Sequence, residues 1–263
     1  MKENAMDKKK KLITAHPAVM AVWAALMAVA SLLPAFPVIG TGVTFNIANC
    51  LTPLAGIFFG PWVGMIVAGV GGFIGQLIAP HTVLFGPLQF TIAMMGALGA
   101  GFAMRKKWWV PLGLIVLFTL AWYALPNGRA AWATPLLYTL GLAFIIIGWV
   151  ISRKSDPLLS PDKKRMALGI LSCSVAGIVV TQAMGNLWAM IFFQLPPAIW
   201  YTTLPIAPVE RILFGLGAMI IGVPLLIGLP KIGVPVGPMI YQEESDEGPE
   251  PDEIIKDDDL PPD

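Results

Sequence analysis

The amino-acid sequence predicts an all-α fold, a polytopic transmembrane helix bundle with both termini in the cytoplasm. Three observations predict it. Of the 263 residues, 56% are hydrophobic and 13% charged, against about 45 to 50% and about 25% in an ordinary soluble domain. Apolar stretches of roughly 20 residues, enough to cross a hydrocarbon layer of about 30 Å, recur along the chain. Acidic residues almost vanish from the interior. None stands between Asp7 and Asp156, eleven of the sixteen lie between Glu243 and Asp263, and Glu210 alone sits within the apolar region.

The elements follow in order. Residues 1–16 are a basic cytoplasmic tail carrying Lys2 and Lys8 to Lys11. The apolar stretch behind them is too long for the core of a signal peptide and runs on into further apolar segments, so it is a retained first helix. Runs bounded by Pro, Gly or basic residues fall at about 17–36, 44–59, 62–79, 86–104, 109–125, 134–152, 167–193 and 207–229. They make a bundle over 17–230. The second run is short and contains Pro53, which marks it as broken or only partly spanning. Gly60-Pro61 and Gly86-Pro87 are punctuation, since Gly ends a helix readily and Pro is tolerated in the next first turn. Residues 231–263, rich in Glu, Asp and Pro, cannot bury enough apolar surface to fold alone and are expected to be a disordered cytoplasmic tail.

Orientation comes from Lys and Arg, which short loops retain in the cytoplasm. Thirteen of seventeen fall in three clusters: the N-terminal one, Arg105 to Lys107, and Arg153, Lys154 and Lys163 to Arg165. Eight helices put all three on one side, together with Lys231 and Lys256, and leave Arg129 and Arg211 outside. Fusing the second and third runs breaks this parity, whereas deleting an adjacent pair keeps it. The count is therefore eight or six.

Several chemistries are absent from the sequence. No G-x-x-x-x-G-K-[ST] loop occurs, so the chain does not carry an ATP site of that kind. There is no His-Glu-x-x-His, no Gly-x-Ser-x-Gly and no carboxylate pair, which speaks against an enzyme and against a metal or other cofactor. Cys50 and Cys173 form no Cys-x-x-Cys motif and read as small buried side chains.

Strong hydrogen-bonding side chains gather in the outer half. Asn46 and Asn49 open the second helix, Gln76 and His81 close the third, and Gln89 opens the fourth. Gln182 and Asn186 share a face of the seventh at i, i+4 spacing, and Glu210 and Arg211 open the eighth. Such a belt suits a cavity open to the exterior, where amides and one ion pair orient a ligand and Trp188, Trp200 and Tyr201 cover it. It equally suits polar residues that meet headgroups and cap neighbouring backbones, with Glu210 and Arg211 as an interfacial anchor. His81, in a loop, reads as solvated. In the first helix Ala21 with Ala25, and Ala24 with Ala28, have the spacing that lets helices approach closely, either within the bundle or against a separate subunit.

The stretch Leu54-Ala55-Gly56-Ile57-Phe58-Phe59-Gly60-Pro61-Trp62-Val63-Gly64 resembles the apolar helix, Gly-Pro turn and glycine-rich next helix of the substrate-binding S components of energy-coupling factor (ECF) vitamin transporters. The alanine-rich first helix behind a basic start adds to the resemblance, which is clearest over residues 17–104. It implies a six-helix bundle that captures a vitamin or related micronutrient from outside and joins a transmembrane T component and two ABC-type ATPases. It also implies that Ala21, Ala24, Ala25 and Ala28 face the T component. Partners are then a small molecule, the bilayer and these subunits, with no nucleic acid. Two runs exceed the family's six, and 109–152 is assigned as the extra pair. Alternatives from other classes are a structural or assembly subunit of a membrane complex, or a membrane-embedded lipid-modifying enzyme.

Overall fold

A computed structural model describes residues 17–38 and 43–241. The basic tail 1–16 and the acidic stretch from Glu243 lie outside the described residues. The described chain is mostly helical. Five helices are long and apolar enough to cross a membrane: Pro61–Ile78, Gly86–Met104, Thr134–Ser152, Lys163–Phe193 and Ala207–Ile232. Three shorter apolar helices, Pro17–Ala30, Ala48–Phe59 and Trp109–Ala124, fall on the remaining apolar runs.

The first run ends earlier than its hydropathy suggests. Helix α1 (Pro17–Ala30) gives way to strand β1 (Pro34–Pro37), which pairs antiparallel with β2 (Thr44–Asn46). The reason is local. Pro34 and Pro37 have no N–H to continue a helix, and each disfavours the helical region for the residue before it. Phe36 and Phe45 then set the hairpin onto Phe214, with ring centroids 5.4 and 6.0 Å away.

Helix α2 (Ala48–Phe59) tolerates Pro53 and is continuous. Eleven of its twelve residues are buried, so it is a core helix, enclosed by α1, α3 (Pro61–Ile78), α4 (Gln89–Met104), α8 (Lys163–Phe193) and α10 (Ala207–Gly228). Leu54, Ile57 and Phe58 of α2 and Ile170, Val175 and Val179 of α8 are fully enclosed. Gly60 makes the reversal into α3 at φ +81, a conformation other residues adopt only with strain, and Pro61 begins the new helix. Helices α5 (Trp109–Ala124) and α7 (Thr139–Ser152) lie to one side, packed mainly on α8. Two short helices, α6 (Pro126–Ala130) and α9 (Pro197–Thr203), fill the connections at one end of the bundle.

The opposite end holds the basic loops. Lys106 Nζ is 3.6 Å from Asp156 Oδ2, and the Arg105 guanidinium lies 4.2 Å from the centre of the Tyr241 ring. Asp162 caps α8 by accepting from Lys164 N, which extends that helix four residues before its apolar run. Arg165 Nη2 donates to Ile151 O at 2.9 Å, completing the end of α7.

Residues 233–241, assigned by composition to the tail, belong to the bundle instead. Val236 and Ile240 are buried in the main core, and Gly237 N donates to Phe58 O at 2.9 Å. A few apolar side chains beside a Gly turn are enough to dock a segment when a ready-made groove meets them.

The first helix also divides its alanines. Ala24 and Ala28 are buried, with Ala24 against Gly71 and Ala28 against Gly75 of α3. Ala21 and Ala25 are on the opposite, exposed face beside Val22, Leu26 and Val29. Of the four alanines assigned to a partner surface, Ala24 and Ala28 are therefore used within the chain, because the absence of a side chain on α3 lets the two backbones meet.

Candidate ligand-binding cavity

A cavity of about 160 Å³ opens at the end of the bundle opposite the basic loops. Its walls come from the β1–β2 hairpin, the start of α2, the connection between α3 and α4, one face of α8, and the α9 and α10 starts. At about 30 Å³ per water in the liquid, it has room for several waters or one small organic molecule.

Seven side chains of the polar belt line this one space: Asn46, Asn49, Gln89, Gln182, Asn186, Glu210 and Arg211. Helical periodicity brings Gln182, Gly185, Asn186 and Ala189 of α8 onto one stripe facing it. Gln76 lines a neighbouring polar cavity of about 70 Å³ that shares Asn46, Asn49 and Gln89 in its wall.

Their hydrogen bonds separate them into two kinds. Gln76 Nε2 donates to Pro87 O at 3.4 Å while its Oε1 accepts from Phe90 N at 3.2 Å. Gln89 Oε1 accepts from Leu84 N and Phe85 N at 3.3 and 3.2 Å. Both glutamines therefore hold the turn between α3 and α4 in shape. Asn49 Nδ2 donates to Asn46 O at 2.9 Å, and Asn186 Nδ2 to the Tyr138 hydroxyl at 3.2 Å.

Gln182 and Arg211 are different. They are 6% and 5% exposed, yet Gln182 Oε1 and Arg211 Nε have no hydrogen-bond partner, and neither does Thr44 Oγ1 across the cavity. Arg211 Nη2 is 3.8 Å from Glu210 Oε2, an ion pair beyond hydrogen-bonding distance, and its Cζ is 4.6 Å from the centre of the Phe45 ring. Burial of an ion costs several kcal/mol that attraction at this separation does not fully offset, so the guanidinium still has donor capacity to satisfy.

The aromatic cover differs from the expectation. Trp200 lines the cavity, held by its Nε1 donating to Leu195 O at 3.2 Å and by edge contact with Trp122 at 4.8 Å. Trp188 stacks on Phe192 at 5.4 Å and Tyr201 donates to Ala130 O, and neither faces the space. Phe45 and Phe85 take their place. Sequence reasoning missed these two, along with Thr44, Thr181 and Thr203. Adjacency to Asn46 and Gln182 was the signal for Phe45 and Thr181. His81 is exposed and does not line the cavity. Among the described residues no group of His, Cys, Asp or Glu is arranged to hold a metal.

No protein-family model matches the chain, and no solved structure matches it. An uncharacterized protein of Methanocaldococcus jannaschii is 24% identical to it over 178 residues, 68% of this chain. The match covers 59% of that relative's length.

Proposed function

We propose that this chain is the membrane-embedded substrate-binding subunit of an ECF-type importer, capturing a vitamin or related micronutrient from outside the cell and handing it to an ATP-driven complex. The observation that carries the reading is the cavity in which the buried Gln182 Oε1 and Arg211 Nε have no hydrogen-bond partner. A bundle built only for assembly gains nothing from leaving such groups unsatisfied, whereas a ligand site uses them.

In this reading the eight apolar helices are eight passes through the cell membrane, with both termini cytoplasmic. Support comes from the gathering of loops 105–108 and 153–162 with Tyr241 at the end away from the cavity, since basic loops stay in the cytoplasm. The cavity then opens outward. The flanking position of α5 and α7 supports their assignment as a pair added to six. Ala21 and Ala25, exposed on α1, would meet the T component, and two ABC-type ATPases would supply the energy.

Native mass spectrometry of the purified chain tests capture, and liposome uptake tests the division of labour. A copurifying small molecule, and uptake only with the partner subunits present, are the expected results. Concentrative uptake by this chain alone overturns the reading.

A further inference from the structure

The chemistry of the occupant is written in which wall groups are already engaged. Thr181 Oγ1 donates to Gly177 O at 3.1 Å and Thr203 Oγ1 to Trp200 O at 2.7 Å. Asn186 Nδ2 and Gln89 Oε1 are engaged as described above. Among the described wall residues, Gln182 Oε1, Arg211 Nε and Thr44 Oγ1 have no hydrogen-bond partner, and the first two belong to nearly fully buried side chains. A primary amide offers an acceptor and a donor side by side, so its complement is an edge on which an N–H stands next to a carbonyl or ring nitrogen. A guanidinium only donates, so it needs an acceptor.

Charge narrows the class further. Among the described residues the charged groups in the wall are Glu210 and Arg211, which cancel. A ligand with net charge would bring an unbalanced ion into a site walled largely by apolar side chains, which is costly. Rings of Phe45, Phe85 and Trp200 on the wall favour a flat molecule.

We infer that the ligand is a small, planar, net-neutral heterocycle that pairs an N–H and acceptor edge with Gln182 and presents a further acceptor to Arg211. This rests on the capture reading proposed above.

The experiment measures the thermal unfolding midpoint of the full chain in detergent with uracil, isocytosine, benzoate or benzylammonium at equal millimolar concentration, alongside native mass spectrometry. Uracil and isocytosine are expected to raise the midpoint and the two ions to leave it unchanged. Gln182→Leu and Arg211→Gln should each weaken uracil binding by about tenfold to a hundredfold, since each leaves a buried polar group unpaired. The exposed His81→Ala should not. Gln182→Leu nearly conserves volume and keeps the test open if Arg211→Gln does not fold. Stabilisation by benzoate or benzylammonium equal to that by uracil overturns the inference and leaves capture standing, as does a copurifying small molecule without such an edge. No stabilisation by any probe, with only phospholipid retained, overturns capture and the inference together.

Discussion

Replacing Gly177 by alanine tests how closely α8 and α4 must approach. A Cβ placed there would lie 2.5 Å from Gly96 O and 2.8 Å from the Ala100 Cβ, while ordinary contact begins near 3.4 Å. The helices would have to part by about 0.9 Å, the difference between 3.4 and 2.5 Å, because the obstacle is backbone and not a flexible side-chain tip. Overpacking of this kind costs about 1 to 3 kcal/mol. Alanine in a helix interior also gains up to about 1 kcal/mol over glycine, which hides part of that cost. Gly113 in α5 supplies the correction, since a Cβ there meets nothing within 4 Å. Gly113→Ala receives the same backbone gain without the clash. Gly177→Ala is therefore expected to be less stable than Gly113→Ala by about 1 to 3 kcal/mol in denaturant titrations of the detergent-solubilised chain. Gln182 lies just over one turn further along α8, so the same displacement should also reduce ligand retention. Equal stability of the two variants would refute the close approach of α4 and α8.

On α1, Ala24→Leu should destabilise the bundle by about 1 to 3 kcal/mol through its contact with Gly71. Ala25→Leu, on the exposed face, should stay within about 0.5 kcal/mol of the parent, and under the importer proposal it should impair uptake with the T component and ATPases present; normal coupled uptake by that variant would remove Ala25 from the proposed interface. Arg165→Met should cost about 1 kcal/mol by freeing the Ile151 carbonyl, seen as faster amide hydrogen exchange at the end of α7. Cysteines at Lys107 and Lys163 should resist an impermeant thiol reagent in intact cells while one at Asn127 reacts. Labelling at Lys107 would invert the topology.

The class of the protein was legible in the sequence because the preference of a long apolar run for lipid is a property of the run itself. Each of the eight runs contains a helix, and no tertiary contact is needed to know that a stretch such as 207–229 avoids water. The gathering of Asn46, Gln182 and Arg211 at one end was also readable, since apolar helices of similar length that alternate in direction put residues at matching ends together. Which polar group is spent and which remains available was not readable. Gln89 and Gln182 are the same residue type in the same belt, but Gln89 meets the amides of Leu84 and Phe85 because the α3–α4 turn wraps round it, while Gln182 points from a helix whose backbone is already paired. The split of Ala24 from Ala25 has a similar origin. Spacing showed that close approach was permitted, but only the position of glycine-faced α3 decided which side of α1 used it. Hydropathy thus determined which segments avoid water, while the meeting of distant segments, through hydrogen-bond partners and helix faces that no local pattern encodes, decided where the cavity forms.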